Sequence, residues 1–119
     1  MANLHYCPLC GNWRRAFDED EGACRVCLMR RFAAGCEDAI ARELATAPIH
    51  VRRRFGPYVG RRGTLGVRPP RPTRRQCGDD YEAALERWEL RIARMEWDAA
   101  RQRLHRIRVA KAEDERRQR

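Results

Sequence analysis

The chain of 119 residues contains no serine, one lysine and few aromatic residues. The absence of serine excludes a serine nucleophile. No apolar run approaches the roughly 20 residues that a membrane-spanning helix needs, and residues 1–6 lack the basic and apolar regions of a secretory signal. We therefore expect a protein without a transmembrane segment, whose six cysteines remain reduced in the cytoplasm, where it can associate with nucleoprotein.

Acidic residues are missing from one stretch of the chain. The net charge is +9, but residues 1–50 hold six arginines against seven acids, and residues 79–119 hold eleven basic residues against ten acids. Residues 51–78 contain nine arginines and no acid, so the whole excess of charge lies there. The same stretch has five glycines and four prolines, which predict extended or looping backbone.

An acid-free mixture of arginine, glycine and aromatic residues suits nucleic acid, because guanidinium groups bind phosphate and aromatic rings stack on unpaired bases. The alternative is a solvated linker whose arginines reflect codon bias, although bias does not explain the missing acids. We expect the phosphate backbone of RNA or DNA, with RNA or a nucleoprotein complex favoured, to contact the following residues: Arg52, Arg53, Arg54, Phe55, Tyr58, Arg61, Arg62, Arg68, Arg71, Arg74 and Arg75.

Four cysteines form two pairs of the pattern Cys-x2-Cys, Cys7 with Cys10 and Cys24 with Cys27, separated by 13 residues. A gap of two residues lets a tight turn aim both sulfurs at one ion, and Zn²⁺ prefers four thiolates in a tetrahedron. The spacing predicts one structural zinc ion. Chance spacing or a pair of disulfides is the alternative. Zinc would also stabilise a module too small to bury much apolar surface.

The residues around these cysteines predict a compact module. Residues 12–23 have the pattern of a short hairpin with an acidic turn, and apolar residues spaced by four predict a helix from about Cys24 until Ala47 and Pro48. The second cysteine pair then lies in the first turn of the helix. Arg14 and Arg15, beside Trp13, either neutralise the thiolates or contact a phosphate backbone.

This order of knuckle, hairpin and helix resembles a treble-clef zinc finger, and Cys-Pro-x-Cys-Gly with the second cysteine pair resembles the knuckles that accompany HNH endonucleases in phages and mobile elements. The resemblance covers residues 5–35 and implies the fold of the module. HNH catalysis needs a histidine base beside a divalent metal site, whereas His5, His50 and His105 form no such set. Cys36 falls on the apolar stripe of the helix, and neither it nor Cys77 has an evident orienting histidine and acid. We expect no catalysis.

Residues 79–119 predict one long helix that starts at Asp79 and Glu82 with the pattern of a capping box. Its apolar residues follow heptad spacing, as in coiled coils, on two opposite faces. One face can pack on the zinc module while the other docks a protein partner or a second copy. The helix can instead fold back as two, lie against a ribonucleoprotein, or bury both faces in one small bundle. The candidate partner-binding residues are Trp88, Ile92, Met95, Trp97 and Leu104.

The sequence thus predicts a small α-rich, zinc-stabilised protein of three parts: a four-cysteine zinc finger and helix (1–47), an extended Arg-rich segment (48–78) and a long bifacial helix (79–119). The function predicted is non-catalytic binding of nucleic acid through the Arg-rich segment. The alternative is a phage or mobile-element adaptor or inhibitor that binds a host nucleic-acid enzyme through the long helix and occupies its nucleic-acid channel.

Overall fold

The computed structural model describes residues 3–56 and 68–119, and it is mostly helical. No helix in these two ranges has the length and apolar character of a membrane span. The elements are the short strands β1 (His5–Tyr6), β2 (Trp13–Arg14), β3 (Phe17–Asp18) and β4 (Ala23–Cys24), followed by the helices α1 (Arg25–Ala45), α2 (Ile49–Phe55), α3 (Arg74–Cys77) and α4 (Tyr81–Arg117).

The strands form two small antiparallel hairpins. β1 pairs with β2, and β3 pairs with β4. The sequence predicted one hairpin over residues 12–23, but β2 instead pairs backward with β1 and closes the loop that carries the first cysteine pair. The acidic turn connects β3 to β4, as predicted, and Gly22 adopts the positive φ of 69° that this turn requires.

The helices α1 and α4 lie side by side and run in the same direction. Val26 and Leu28, near the start of α1, share a buried cluster with Ala93, whereas Ile40, near its end, shares another with Leu104 and Ile107. The two clusters, called here the cysteine core and the α2 core, therefore lie at opposite ends of the pair.

The α2 core joins three helices. Val51 and Phe55 are four residues apart and so lie on one side of α2, where both are buried against Leu104 and Ile107. The Lys111 ammonium group closes the edge of this core, since it donates to the Glu43 carboxylate at 2.9 Å and to Thr46 Oγ1 at 2.8 Å. His50 Nε2 lies 3.1 Å from Asp114 Oδ1 and links α2 to the last turns of α4.

Helical structure at both ends of the Arg-rich segment corrects the prediction of extended backbone. α2 forms because the Pro48 carbonyl accepts from the Val51 and Arg52 N–H groups, each at 3.0 Å, and because Val51 and Phe55 pack into a core. α3 begins with a capping box in which Thr73 and Gln76 exchange hydrogen bonds. The predicted capping box at Asp79 is wrong, because a 3-10 turn at Gly78–Asp80 precedes α4 and Asp80 caps it without a side-chain hydrogen bond.

α4 is a single uninterrupted helix of 37 residues, so it does not fold back as two. One of its apolar faces packs along α1 and α2, where Trp97 meets the Phe32 ring at 5.2 Å. Residues before α3 return onto the other face. There the Trp88 indole N–H donates to the Pro69 carbonyl at 2.8 Å, and the Arg71 guanidinium lies 5.9 Å from the Trp88 ring centroid. The chain itself thus supplies contacts to both faces.

Candidate metal centre and basic surface

The four paired cysteines come together at one point in the cysteine core. Their Sγ atoms all lie within 4.8 Å of one another. Cys7 Sγ lies 3.8 Å from Cys27 Sγ, and Cys10 Sγ lies 3.9 Å from Cys24 Sγ. These distances are far from the ~2.05 Å of a disulfide and match the ~3.8 Å edge of a tetrahedron built on metal–sulfur bonds of about 2.3 Å. The four thiols can therefore hold a metal ion.

Backbone geometry places each cysteine pair. In the first pair, the Gly11 N–H donates to the Cys7 carbonyl at 2.8 Å, and the Cys7 N–H donates to the Asn12 carbonyl at 2.9 Å. This tight turn needs the positive φ of 73° that Gly11 adopts. Cys24 is the N-cap of α1, where its sulfur accepts from the Cys27 N–H at 3.4 Å. The helix N-terminus and these N–H groups favour thiolates at this point.

The four thiols lie close together, and their pKa values are shifted in opposite directions. Burial raises the pKa of the Cys7 thiol, but backbone N–H groups that donate to its sulfur outweigh burial and bring the pKa down to about 6. Burial likewise raises the pKa of Cys10, and the Asn12 backbone and Arg14 guanidinium reverse the shift. Burial and the neighbouring thiols raise the pKa of Cys27. Binding of a metal ion would release the remaining thiol protons.

Arg14 connects the cysteines to α4. Only 6% of this residue is exposed, and its guanidinium donates to Glu89 Oε2 at 2.8 Å. Burial lowers the pKa of this guanidinium, yet Cys10 and Glu89 outweigh burial and raise it. Its Nε is buried without a hydrogen-bond partner in the described part of the chain. A cation with spare donor capacity beside the sulfurs fits an anionic group, since four thiolates and one divalent ion sum to a charge of −2.

Glu86 forms a second connection between α4 and the hairpins, which sequence reasoning missed. Its carboxylate is buried and accepts from the Arg15 N–H at 2.8 Å and from the Ala16 N–H at 3.2 Å. These two N–H groups lie between β2 and β3. Glu86 continues the apolar stripe of Leu90 and Ala93 by one helical turn toward the N-terminus. The signal available in the sequence was an acidic residue at a position that belongs to the apolar stripe of the helix.

Three consecutive arginines of the predicted nucleic-acid surface lie on α2. Arg52, Arg53 and Arg54 are exposed, while Val51 and Phe55 hold the helix in the α2 core. The Arg54 guanidinium lies 5.0 Å from the Phe55 ring centroid. Within residues 3–56 and 68–119, neither Arg52 nor Arg53 forms an ion pair with a carboxylate. Phe55 is only 7% exposed, so no base can stack on it while the core is closed.

The remaining predicted nucleic-acid residues are dispersed. Arg68 binds Glu96 at 3.1 Å, and Arg74 binds Glu82 at 3.3 Å while lying over the Tyr81 ring. Arg71 lies over Trp88, and Arg75 is exposed. Three predicted residues lie outside the described ones: Tyr58, Arg61 and Arg62.

The predicted partner-binding residues also divide into two groups. Leu104 and Ile92 are buried within the chain, so a partner reaches them only if the fold opens. Trp88, Met95 and Trp97 are half-buried, and both tryptophans already contact this chain. The sequence also suggested Arg14 as a contact to a phosphate backbone. That prediction is wrong, because Arg14 is buried against Glu89.

No family model, no curated protein and no solved structure matches this chain.

Proposed function

We propose that this chain is a non-catalytic, zinc-binding protein that binds the phosphate backbone of RNA or DNA through its Arg-rich segment. An all-thiolate donor set with tetrahedral spacing supports zinc, because soft ligands in this geometry select zinc over magnesium or calcium. Four protein ligands saturate the ion and leave no open position for chemistry. The cysteine module is proposed to be a treble-clef finger of the type found in phage and mobile-element proteins.

The observation that best supports nucleic-acid binding is that one side of α2 is buried while its arginines are exposed. Its apolar side is anchored in a core, and this anchor holds adjacent arginines outward on a short rigid element. Arginines that serve only as a solvated linker need no such anchor. Because the backbone of α2 is already ordered, Arg52 and Arg53 lose side-chain entropy but little backbone entropy when they bind phosphate. Because bidentate phosphate binding carries no base information, we expect poor sequence specificity.

Two further features support a role without catalysis. Among the described residues, the four cysteines are the sole group of three or more potential metal ligands. The three histidines are separated: His5 stacks on Phe17, His50 faces Asp114, and His105 is exposed on α4. His50 lies within hydrogen-bond distance of the Asp114 carboxylate, but in the described ranges no thiol or hydroxyl group forms a hydrogen bond with a histidine, so no pair of nucleophile and base is formed.

The test is a salt titration of binding to mixed-sequence RNA and DNA. We expect log Kd to rise with log salt concentration with a slope of several units, because each neutralised phosphate contributes roughly 0.7 to 0.9. The double variant Arg52→Ala with Arg53→Ala should weaken binding and lower the slope by about 1 to 2. Circular dichroism should show that it remains folded, since both side chains are exposed.

The matched control is Arg30→Ala with Arg31→Ala, which removes two adjacent exposed cations from α1. A much smaller loss in this variant assigns binding to α2. Equal losses in both double variants would mean that binding follows net charge and that α2 has no special role. A flat slope, or no binding at low salt, contradicts the proposal and favours the adaptor that binds a nucleic-acid enzyme.

A further inference from the structure

The first hairpin exposes two aromatic rings that the fold does not use. Tyr6 and Trp13 are directly opposed across β1 and β2, with ring centroids 5.6 Å apart and planes tilted by 59°. Tyr6 is 51% exposed and Trp13 is 65% exposed. Large exposed aromatic surface on so small a module indicates a binding face.

The opposite face of the same hairpin makes the internal contacts. His5 and Arg14 are the other cross-strand pair, and neighbouring positions along a strand point to opposite faces. His5 stacks on Phe17 at 5.1 Å and lies 4.0 Å from Glu19 in the acidic turn, while Arg14 binds Glu89 on α4. The aromatic face therefore points away from α4 and from the acidic turn, which would repel phosphate.

The chemistry beside the rings favours nucleic acid over a protein partner. Arg15 is exposed and forms no ion pair with any carboxylate in the described ranges, and the exposed Asn12 offers an amide that can hydrogen-bond to a base edge. Aromatic faces near an unpaired guanidinium are the arrangement on which single strands stack. We infer that Tyr6 and Trp13 form a stacking platform for unpaired bases of a single-stranded nucleic acid. This inference rests on the proposed function.

The platform and α2 lie at opposite ends of the α1–α4 pair. Since α1 has 21 residues, these ends are about 31 Å apart. A strand with the stacked rise of about 3.4 Å per nucleotide spans this distance with roughly nine nucleotides, and a more extended strand spans it with fewer. A duplex keeps its bases stacked internally and gains nothing from the rings. The platform therefore makes the protein selective for single strands, whereas α2 binds any phosphate backbone.

The experiment compares a single strand of about 15 nucleotides with an abasic strand of equal length and charge, so that both span the two ends. We expect Trp13→Ala to weaken binding of the base-containing strand roughly 5- to 100-fold, as for loss of one stacked base, and to leave binding of the abasic strand unchanged. Trp13→Phe should retain much of the affinity. The matched control Leu9→Ala removes an exposed apolar side chain from the same hairpin and should change affinity by about twofold or less.

The outcomes separate the two proposals. If wild-type protein binds both strands equally with a steep salt slope, or if Trp13→Ala weakens binding of both equally, phosphate binding stands and the platform is overturned. If neither strand binds, both proposals are overturned. If Trp13→Ala leaves both affinities unchanged but converts a dimer to a monomer in sedimentation, the rings pair two copies of the chain and the platform is likewise overturned.

Discussion

The two ends of the α1–α4 pair are stabilised by different physical means. The α2 core buries large aliphatic and aromatic side chains, among them Ile107, Val51 and Phe55. The cysteine core consists chiefly of cysteine, alanine and one valine and one leucine, bordered by the buried charges of Arg14 and Glu86. Apolar burial stabilises the first without a ligand, whereas the second buries mostly small side chains, and under the proposed function bonds between its four thiols and a metal ion add to its stability.

This difference explains where each binding feature lies. A metal ion bound by the four thiols would fix the backbone in a module of two-residue strands, and it would therefore hold exposed rings such as Trp13 on a hairpin that is too short to be stable alone. An apolar core accepts one side of a short helix and leaves its other side free for arginine. Each end uses the kind of stabilisation that its proposed surface requires.

The largest expected effect comes from removing the metal. Chelation, or Cys10→Ser, should unfold the cysteine end and leave the α2 end folded, because structural zinc contributes about 10–16 kcal/mol of apparent binding energy in small modules. Hydrogen exchange measures both ends in one sample. The Cys7 and Cys24 amides, which donate to Asn12 and to the Cys7 sulfur, should lose protection, while amides near Ile107 in α4 keep it.

The control for this prediction is Cys77→Ser, which changes a half-buried thiol in α3 outside the cluster. It should retain full metal stoichiometry and wild-type exchange. Loss of protection at both ends of Cys10→Ser would contradict the comparison, because it would make the α2 core dependent on the metal as well.

Several features of the fold followed from the sequence because their determinants are local. The cysteine spacing predicted the cluster, and apolar periodicity with Pro48 predicted α1 and its end. The capping box of α3 stands in the sequence as Thr73 and Gln76, whereas the box predicted at Asp79 and Glu82 belongs to α4 and does not form. α2 was not predicted, because the arginine and proline content of this segment favoured extended backbone. The spacing of Val51 and Phe55 becomes informative only once the core against which they pack is known.

The remaining features could not be predicted because they join distant parts of the chain. Glu86 meets the Arg15 and Ala16 amides from 71 and 70 residues away, and no local pattern specifies that register. The burial of Arg14 has the same origin, since Glu89 lies 75 residues further along. The polar contacts that join the cysteine end to α4 are therefore a property of the tertiary fold.

An intermediate effect is expected from breaking one of these contacts. Glu86→Ala should lower the free energy of unfolding by about 1–3 kcal/mol, because it leaves two backbone N–H groups near α4 without an acceptor. Urea denaturation of the metal-loaded protein measures this change. The matched control is Glu82→Ala, one turn earlier on α4, where the carboxylate pairs with Arg74 in an exposed position. It should change stability by less than about 1 kcal/mol. Equal effects would contradict a structural role for Glu86.

The smallest effect is expected at the edge of the α2 core. Lys111 donates to the Glu43 carboxylate and is the main cause of its lowered pKa. Because the folded pKa lies below the ordinary value of about 4.5, the ion pair stabilises the fold above that value and ceases to do so as pH falls through the folded pKa. Lys111→Met should therefore cost at most about 1 kcal/mol at pH 7, since the pair is partly exposed.

An NMR titration of the Glu43 side-chain carboxyl carbon checks this directly, because Lys111→Met should return its pKa toward the ordinary value. Arg108→Met is the internal comparison: Arg108 Nε lies 3.5 Å from Glu43 Oε1 on a more exposed side chain, and its loss should raise the pKa less. A Glu43 pKa that is the same in wild type and Lys111→Met would show that the ammonium group does not hold this edge, and apolar burial alone would then account for the α2 end.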